Sequence, residues 1–496
     1  MKNYKIKNLI LLFLCSAALL SSCKKYINET PINAATSDNF WTTEQAAQTG
    51  LAGAYSLLRT ALLNRSSYFT FGDATAGEFT GFNGDIAYTY GGLTETGQYN
   101  FNYTPYGDQW HDWTPFYQMI AQCNLIITKV PDIPSSAFTD EPTAARRKLL
   151  GEAYFLRAFA YYYITEVWGQ PVLITQAYQD PTKATPVPRS TDVQAFAQVV
   201  SDLKQSISML QYGYTNPTEV AVRANKGSAF ALLAKTYMWQ KQYKLAADAA
   251  DSVITKGGYK LERGNYANIW SGGNQESIFE LYMLYNGSNN EAAGGAFNNF
   301  LQEPFVKGVN SSWTVNTDLI NNLYDTTSTS KDIRVKANFY GLQNGSPLLI
   351  KYANVVYQNA TGITSAYISN NLVIMRLADI YLTRAEAAAK LGDVATGNTY
   401  LNLVRQRAGL DDYIATDATD LLYTVMDERG RELYGEGSWY FDLYRSGLIV
   451  DGNYENAVQG YSTPRYLGGG CQWPLAMSVL LPQDPLLVQN AWWAIH

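Results

Sequence analysis

In residues 146–168, Leu149, Ala153, Leu156, Ala160, Tyr163 and Val167 recur at alternating intervals of four and three. Only an α-helix gathers such a series on one face, so the stretch predicts a long helix with one apolar side. Gly169 and Pro171 follow directly and end it. The same period returns in residues 222–254. There Phe230, Leu233, Ala234 and Tyr237 form one stripe and Ala246, Ala249, Ala250 and Val253 another, on either side of the polar Lys241-Gln242. A third pair follows: Ile374, Leu377, Tyr381, Ala385 and Ala388, a turn at Gly392-Asp393, then Tyr400, Val404 and Ala408. Helices paired through short turns, with small residues such as Ala385, Ala387 and Ala389 allowing close approach, look like tetratricopeptide units. The expected fold is mostly α, a tetratricopeptide-like helical-hairpin scaffold with long inserted loops and minor β-structure. Trp113 and Tyr117 are expected in its core. Tyr161, Tyr162 and Tyr163 point three ways around their helix, so Tyr163 is expected inside and at least one neighbour outside.

Before this scaffold, Lys2, Lys5 and Lys7 precede an apolar run from Leu9 to Leu20 that is too short to span a bilayer and suits the centre of a secretory signal. Leu20-Ser21-Ser22-Cys23 resembles a bacterial lipobox, in which Cys23 becomes the lipidated first residue and anchors the chain to a membrane. The division expected is a signal peptide over residues 1–22, a lipidated tether over 23–37 and a single domain over 38–496. With Cys15 lost and Cys23 lipidated, Cys123 and Cys471 remain, read as two buried thiols rather than a disulfide. A formal charge of −6 offers no route to phosphate backbones, so no nucleic-acid partner is expected. His111 and His496 are the only histidines, which removes multi-histidine zinc sites and nearly every His-based triad. No phosphate-binding glycine loop or nucleophile elbow is present, and no cofactor or metal is assigned.

Several motifs are similar to those of one family. Asn39-Phe40-Trp41-Thr42-Thr43-Glu44 leads to Gly53-Ala54-Tyr55, and Trp113, Tyr117, Ile120 and Asn124 follow at helical spacing. Then come Glu152-Ala153-Tyr154-Phe155-Leu156-Arg157-Ala158 with Trp168-Gly169-Gln170-Pro171, and Met375-Arg376-Leu377-Ala378-Asp379-Ile380-Tyr381-Leu382 with Ala385-Glu386-Ala387. Glu428-Arg429-Gly430-Arg431-Glu432-Leu433, Glu436-Gly437, Phe441-Asp442-Leu443, Gln472-Trp473-Pro474 and Gln489-Asn490 complete the series. In this order they resemble the SusD/RagB-like outer-membrane nutrient-binding lipoproteins of Bacteroidetes across nearly the whole mature chain. The resemblance implies a non-catalytic protein on the cell outer membrane, docked as a lid on a SusC-like TonB-dependent transporter. It also implies a ligand surface carried on variable loops, so binding residues do not transfer from motif to motif.

Three stretches lack helical period: 66–112, 286–312 and 353–371. Loops so long are commonly functional. Sugar rings present CH-rich faces edged by hydroxyls, and a binder meets them with flat aromatic rings and short polar groups. An oligosaccharide is therefore the expected ligand. The candidate platforms are Tyr68, Tyr88, Tyr90 and Trp110 in the first stretch, with Asp73, Asn83 and Asp85 as polar partners, and Tyr285, Phe297 and Trp313 around the second. An all-α glycoside hydrolase is the competing reading, since Asp427 with Glu428, Glu432 with Glu436 and Asp379 with Glu386 offer carboxylate pairs. Arg429 and Arg431 beside them make ion pairing the simpler role. A transporter lid that binds peptide, or no ligand by itself, is the other alternative.

Overall fold

The computed structural model describes residues 40–63, 67–81, 110–178, 185–285, 300–308, 310–311, 313–343, 345–357, 366–454 and 460–495. Helices dominate. The predicted long helix is α3 (Pro142–Trp168), opened by a proline in its first turn and by the Glu141 carboxylate, which accepts from Thr143 N at 3.1 Å and Ala144 N at 2.6 Å. It packs between α1 (Glu44–Leu63) and α2 (Thr114–Lys129) on one side and α4 (Asp192–Met209) on the other. The buried Arg157 pins three of these together: Nε and Nη2 donate to Asp202 at 2.8 and 2.7 Å, and Nη1 to Asn124 Oδ1 at 2.8 Å.

The predicted hairpin of residues 222–254 is α5 (Lys226–Trp239) and α6 (Tyr243–Lys256), with Asn225 and Ser228 forming the capping box that starts it. The third pair is α9 (Leu377–Leu391) and α10 (Val394–Arg407), turning at Gly392-Asp393 as expected. Helix α6 packs on α9, and α11 (Ala418–Glu432) covers α9 in turn, so the hairpins stack in chain order as in tetratricopeptide arrays. Short helices α7 (Thr317–Leu323), α8 (Ile333–Asn338), α12 (Trp439–Ser446) and α13 (Thr463–Leu467) fill the loop-bearing side.

Two expectations are corrected. Ile374 belongs to a strand, β8 (Leu372–Arg376), and helix begins only at Leu377. The three tyrosines of α3 are all buried, because α3 is enclosed on every side. Tyr161 spends its hydroxyl on the strap that follows the helix, donating to Ile174 O at 2.7 Å and accepting from Ile174 N at 2.8 Å. Tyr162 donates to Glu166 at 3.0 Å. Trp113 is buried as expected and Tyr117 half-buried. Cys123 and Cys471 are free and buried, and burial pushes both thiols up to about 12.

The β-structure consists of antiparallel two-stranded pairs: β1 (Phe79–Thr80) with β3 (Thr314–Val315), β2 (Ser277–Leu281) with β8, β4 (Phe339–Tyr340) with β5 (Leu348–Leu349), and β6 (Val355–Tyr357) with β7 (Ala366–Ile368). Where β8 passes into α9, Arg376 enters a buried ion cluster. Glu432 at its centre receives Arg376 Nη1 at 2.5 Å, Arg334 Nη1 at 3.0 Å, Arg407 Nη2 and the Tyr266 hydroxyl at 2.8 Å. Glu276 bridges Arg376 and Arg407 at 2.8 Å each, while Glu436 takes Arg376 Nε at 2.7 Å and Lys351 at 2.5 Å. These cations hold the Glu432 carboxyl far below its ordinary range despite burial.

Leaving three guanidinium groups without their shared anion should be severe. Glu432→Gln is expected to cost about 3–5 kcal/mol, read by denaturant melts. Because the folded carboxyl ionises below its unfolded value, its contribution is present above the unfolded carboxylate range and fades as the solution is acidified. Wild type and variant should therefore converge at acid pH. A second weak point is the contact of Gly72 with Gly437. The latter has φ +70°, and a Cβ on it would lie 2.4 Å from the Tyr68 ring. Gly437→Ala should destabilise by about 2–4 kcal/mol, from the left-handed backbone and the clash together.

Candidate functional site

Four of the sequence-predicted site residues lie inside the protein. Tyr68 is buried edge-on against Phe69, and its hydroxyl donates to Glu436 O at 2.6 Å. Asp73 is fully buried and accepts from Gly437 N through both oxygens, at 2.7 and 2.9 Å. Trp110 is buried near the end of α3, where its carbonyl accepts from Trp168 Nε1 at 3.2 Å. Trp313 packs against Phe79 and Phe300, with centroids 5.4 Å away in each case. In this structure the three rings present no open face. Each ring buries a large apolar area, and that gain drew them under the loops rather than onto them. Asn83, Asp85, Tyr88, Tyr90, Phe297 and the lipidation candidate Cys23 fall outside the described residues.

The fifth predicted platform, Tyr285, is half-buried and stacks on Tyr367, with centroids 4.5 Å apart and planes 16° from parallel. Its position is fixed from the backbone: Tyr285 N donates to Ser369 Oγ at 2.8 Å and Met283 N to Asn371 Oδ1 at 2.9 Å. Tyr367 stands on the β6–β7 ribbon directly opposite Val356, while Tyr357 pairs with Ala366. Alternation along a strand therefore puts Tyr367 and Tyr357 on opposite faces of the ribbon. Beyond it, the Tyr357 hydroxyl accepts from Lys307 N at 3.2 Å and donates to Phe305 O at 3.4 Å, and Phe305 meets Tyr340 edge-on at 5.2 Å. Tyr340 is 43% exposed, and Tyr282, three residues before Tyr285, is 40% exposed.

The described part of the site is thus a ribbon with half-buried tyrosines on both faces and further exposed rings flanking it. It can stack flat, CH-rich rings and bond their rims through phenol hydroxyls. Of the tyrosines gathered here, sequence reasoning named Tyr285 and did not name Tyr282, Tyr340, Tyr357 or Tyr367. The alternating Val355-Val356-Tyr357 and Ala366-Tyr367-Ile368 carried a strand signal that could have exposed two of them.

The carboxylates nominated for catalysis are occupied elsewhere. Glu428 pairs with Arg334 at 2.7 Å, Asp379 with Arg429 at 2.7 Å and Lys235 at 3.0 Å, and Glu386 with Arg445. Asp427 accepts from Tyr454 at 3.0 Å. All but Asp427 are thus held in ion pairs, although Glu432 and Glu436 take their arginines from distant segments rather than from Arg429 and Arg431. A cavity of about 50 Å³ is lined by Tyr163, Lys235, Asp379, Arg429, Asp442 and Glu166, whose carboxyl burial pushes up to about 7. Tyr162 and Trp239 donate to it at 3.0 and 3.1 Å.

Comparison with known proteins agrees with this architecture. Residues 213–466 match the SusD family, and residues 77–238 match a family described as starch-binding and associating with the outer membrane. SusD-like protein P38 of Formosa agariphila is 25% identical, with 99% of each chain covered. The starch-binding protein SusD of Bacteroides thetaiotaomicron is 32% identical over 123 residues, which is 24% of this chain and 21% of that one. Among solved structures, a SusD homolog from Bacteroides thetaiotaomicron superposes with a TM-score of 0.78 at 22% identity, covering 92% of this chain and 99% of the other. A laminarin-binding SusD-like protein superposes with a TM-score of 0.70 at 23% identity, covering 90% and 99%. With a matching segment that spans half its length and the stacked hairpins of its relatives, the chain belongs to the SusD family.

Proposed function

We propose that this protein is a lipid-anchored binding protein of the outer membrane that captures an oligosaccharide and passes it, uncleaved, to a SusC-like TonB-dependent transporter. The observation that carries the reading is the Tyr285–Tyr367 stack on the β6–β7 ribbon, with Tyr282, Tyr340 and Tyr357 nearby. Neutral sugars need rings and hydroxyls more than charge, and these side chains supply both. The name of one structural relative, which binds laminarin, and of one sequence relative, which binds starch, support the same ligand class. The buried, paired state of the candidate carboxylates favours binding over hydrolysis.

In this reading residues 1–22 are removed, Cys23 carries the lipid, residues 23–37 are a tether and the rest folds as one domain. A single acyl chain holds a protein weakly, and the diacylated cysteine of a lipoprotein supplies the second chain that stable anchoring needs. Cys23→Ala should move the protein from the membrane fraction to the soluble fraction; retention in the membrane would count against the anchor.

Ligand capture is tested by calorimetry and product analysis of residues 24–496 with starch- and laminarin-derived oligosaccharides. Binding without shortened products is expected. Tyr285→Ala and Tyr367→Ala should each weaken it by about tenfold, on the order of 1.4 kcal/mol, with the melting temperature little changed. Cleaved product, or affinity indifferent to both substitutions, would overturn the reading.

A further inference from the structure

Asp73, singled out in the sequence as a polar partner for a ligand, has a different neighbour in the structure. It lies in a single π-helical turn, Thr70–Ala74, and Glu78 follows just before β1. Both side chains are fully buried. Both are directed at the same tight turn after α11: Gly437 N donates to the two Asp73 oxygens, and Gly435 N donates to Glu78 Oε2 at 2.7 Å. Both carboxyls are thus anchored on amides two residues apart, and each raises the other's cost of ionising. Two carboxylates offer only acceptors, so a pair brought together here needs a proton or a cation between them. The remaining oxygen of the pair, Glu78 Oε1, has no hydrogen-bond partner among the described residues.

The surroundings do not supply the missing positive charge. Lys351 is the cation that acts on both carboxyls, and it is bound to Glu436 at 2.5 Å and to the Glu432 carbonyl at 3.3 Å. Arg376, on the same Glu436, holds Glu432 and Glu276 as well. The other groups facing the pair are the Glu436 carboxylate, which adds negative charge, and phenols. Four of the phenols direct their protons elsewhere: Tyr68 to Glu436 O, Tyr352 to Gly435 O, Tyr324 to Arg431 O and Tyr434 to the main-chain oxygen of Glu78. Tyr163 faces Asp73 from α3 with its buried hydroxyl unpaired.

We infer that Asp73 and Glu78 share one proton, carried on Glu78 Oε1 and donated to Asp73, and that this carboxyl–carboxylate pair is an alkali-sensitive clasp. One proton accounts for every atom: it gives the empty oxygen a role as donor, leaves Asp73 as acceptor for Gly437, and leaves Glu78 Oε2 as acceptor for Gly435. Removing it puts two negative charges side by side in a buried site where no cation among the described residues is left unengaged. Burial pushes both carboxyls well above their ordinary range, in keeping with a pair that releases its proton as a unit. What the clasp joins is the foot of the loop-bearing side. The main-chain oxygen of Glu78 also accepts from Asn316 N at 2.9 Å, next to the β1–β3 pair, so the same residue ties the turn after α11 to two strands.

The sign of the pH effect follows. The folded state keeps a proton that the unfolded chain gives up in the ordinary carboxylate range, so stability falls as pH rises above that range and levels off once the pair has ionised. Other buried carboxyls, Glu166 and Glu280 among them, act in the same direction, so the comparison is between variants. In Glu78→Gln the amide donates to Asp73 at every pH while its oxygen still accepts from Gly435. The full chain and this variant should be melted from pH 5 to pH 9 and their infrared spectra recorded. Across the titration of the pair, the wild-type folding constant should fall relative to that of the variant by up to about tenfold per pH unit. The protonated-carboxyl band at pH 7 should lose the contribution of one acid. Asp73→Asn, whose amide donates to an ionised Glu78, should reproduce both results and stands in if the first variant does not fold. If neither folds, carboxyl carbon-13 titration of the wild type decides, two carboxyls titrating together well above the ordinary range being the supporting result. Parallel melting profiles, an unchanged acid band, or no such pair in the titration would overturn the inference.

Discussion

The loop-bearing half of the molecule is assembled around one buried anion. Glu432 ends α11, yet its partners come from α8 (Arg334), the β8–α9 junction (Arg376) and the end of α10 (Arg407), with Tyr266 adding a hydroxyl. Burying a carboxylate or a guanidinium alone is prohibitive, so each of these segments can settle only where the others already stand. Glu276 and Glu436 extend the condition to β2 and to Lys351. The stacked hairpins are held chiefly by apolar contact; the irregular side, with few long helices of its own, is held in register by charge.

How much of this could be read from the chain depends on the range of the interaction involved. The long helix, both hairpins and their turns were legible because a helical stripe is written within a few residues of itself. The strand at Leu372–Arg376 was hidden because its apolar residues run straight into those of α9, and pairing with β2 is a contact nearly a hundred residues distant. The ion cluster was half legible. The acidic and basic residues of the segment from Glu428 to Glu432 announce ion pairs, but the arginines that Glu432 takes lie up to 98 residues away, and no local spacing names them.

The candidate site shows the same division from the other side. Aromatic density in a long loop signals that rings are wanted there, not whether they face the ligand or the floor. Tyr68 and Trp313 form part of that floor, together with Phe69, Phe79 and Phe300, and Trp110 is buried against Trp168. Tyr285 faces outward since its backbone is fixed by Ser369 at the sheet margin, and it finds Tyr367 as neighbour across a ribbon that the sequence shows only as three alternating residues on each side. A buried ring and an exposed one have the same composition; only the long-range pairing of the strands separates them.

The enclosure of α3 has a mechanical consequence. At 27 residues it is about 40 Å long, and from Gly151 to Trp168 almost every residue is buried. A helix exposed on one side bends by opening toward water, whereas one packed all round can bend only by displacing neighbours on every side. It is thus a strut through the middle of the protein, with Arg157 and Tyr161 as its cross-ties. A load applied to the strap beyond Trp168 would be passed along α3 to the helices packed around it.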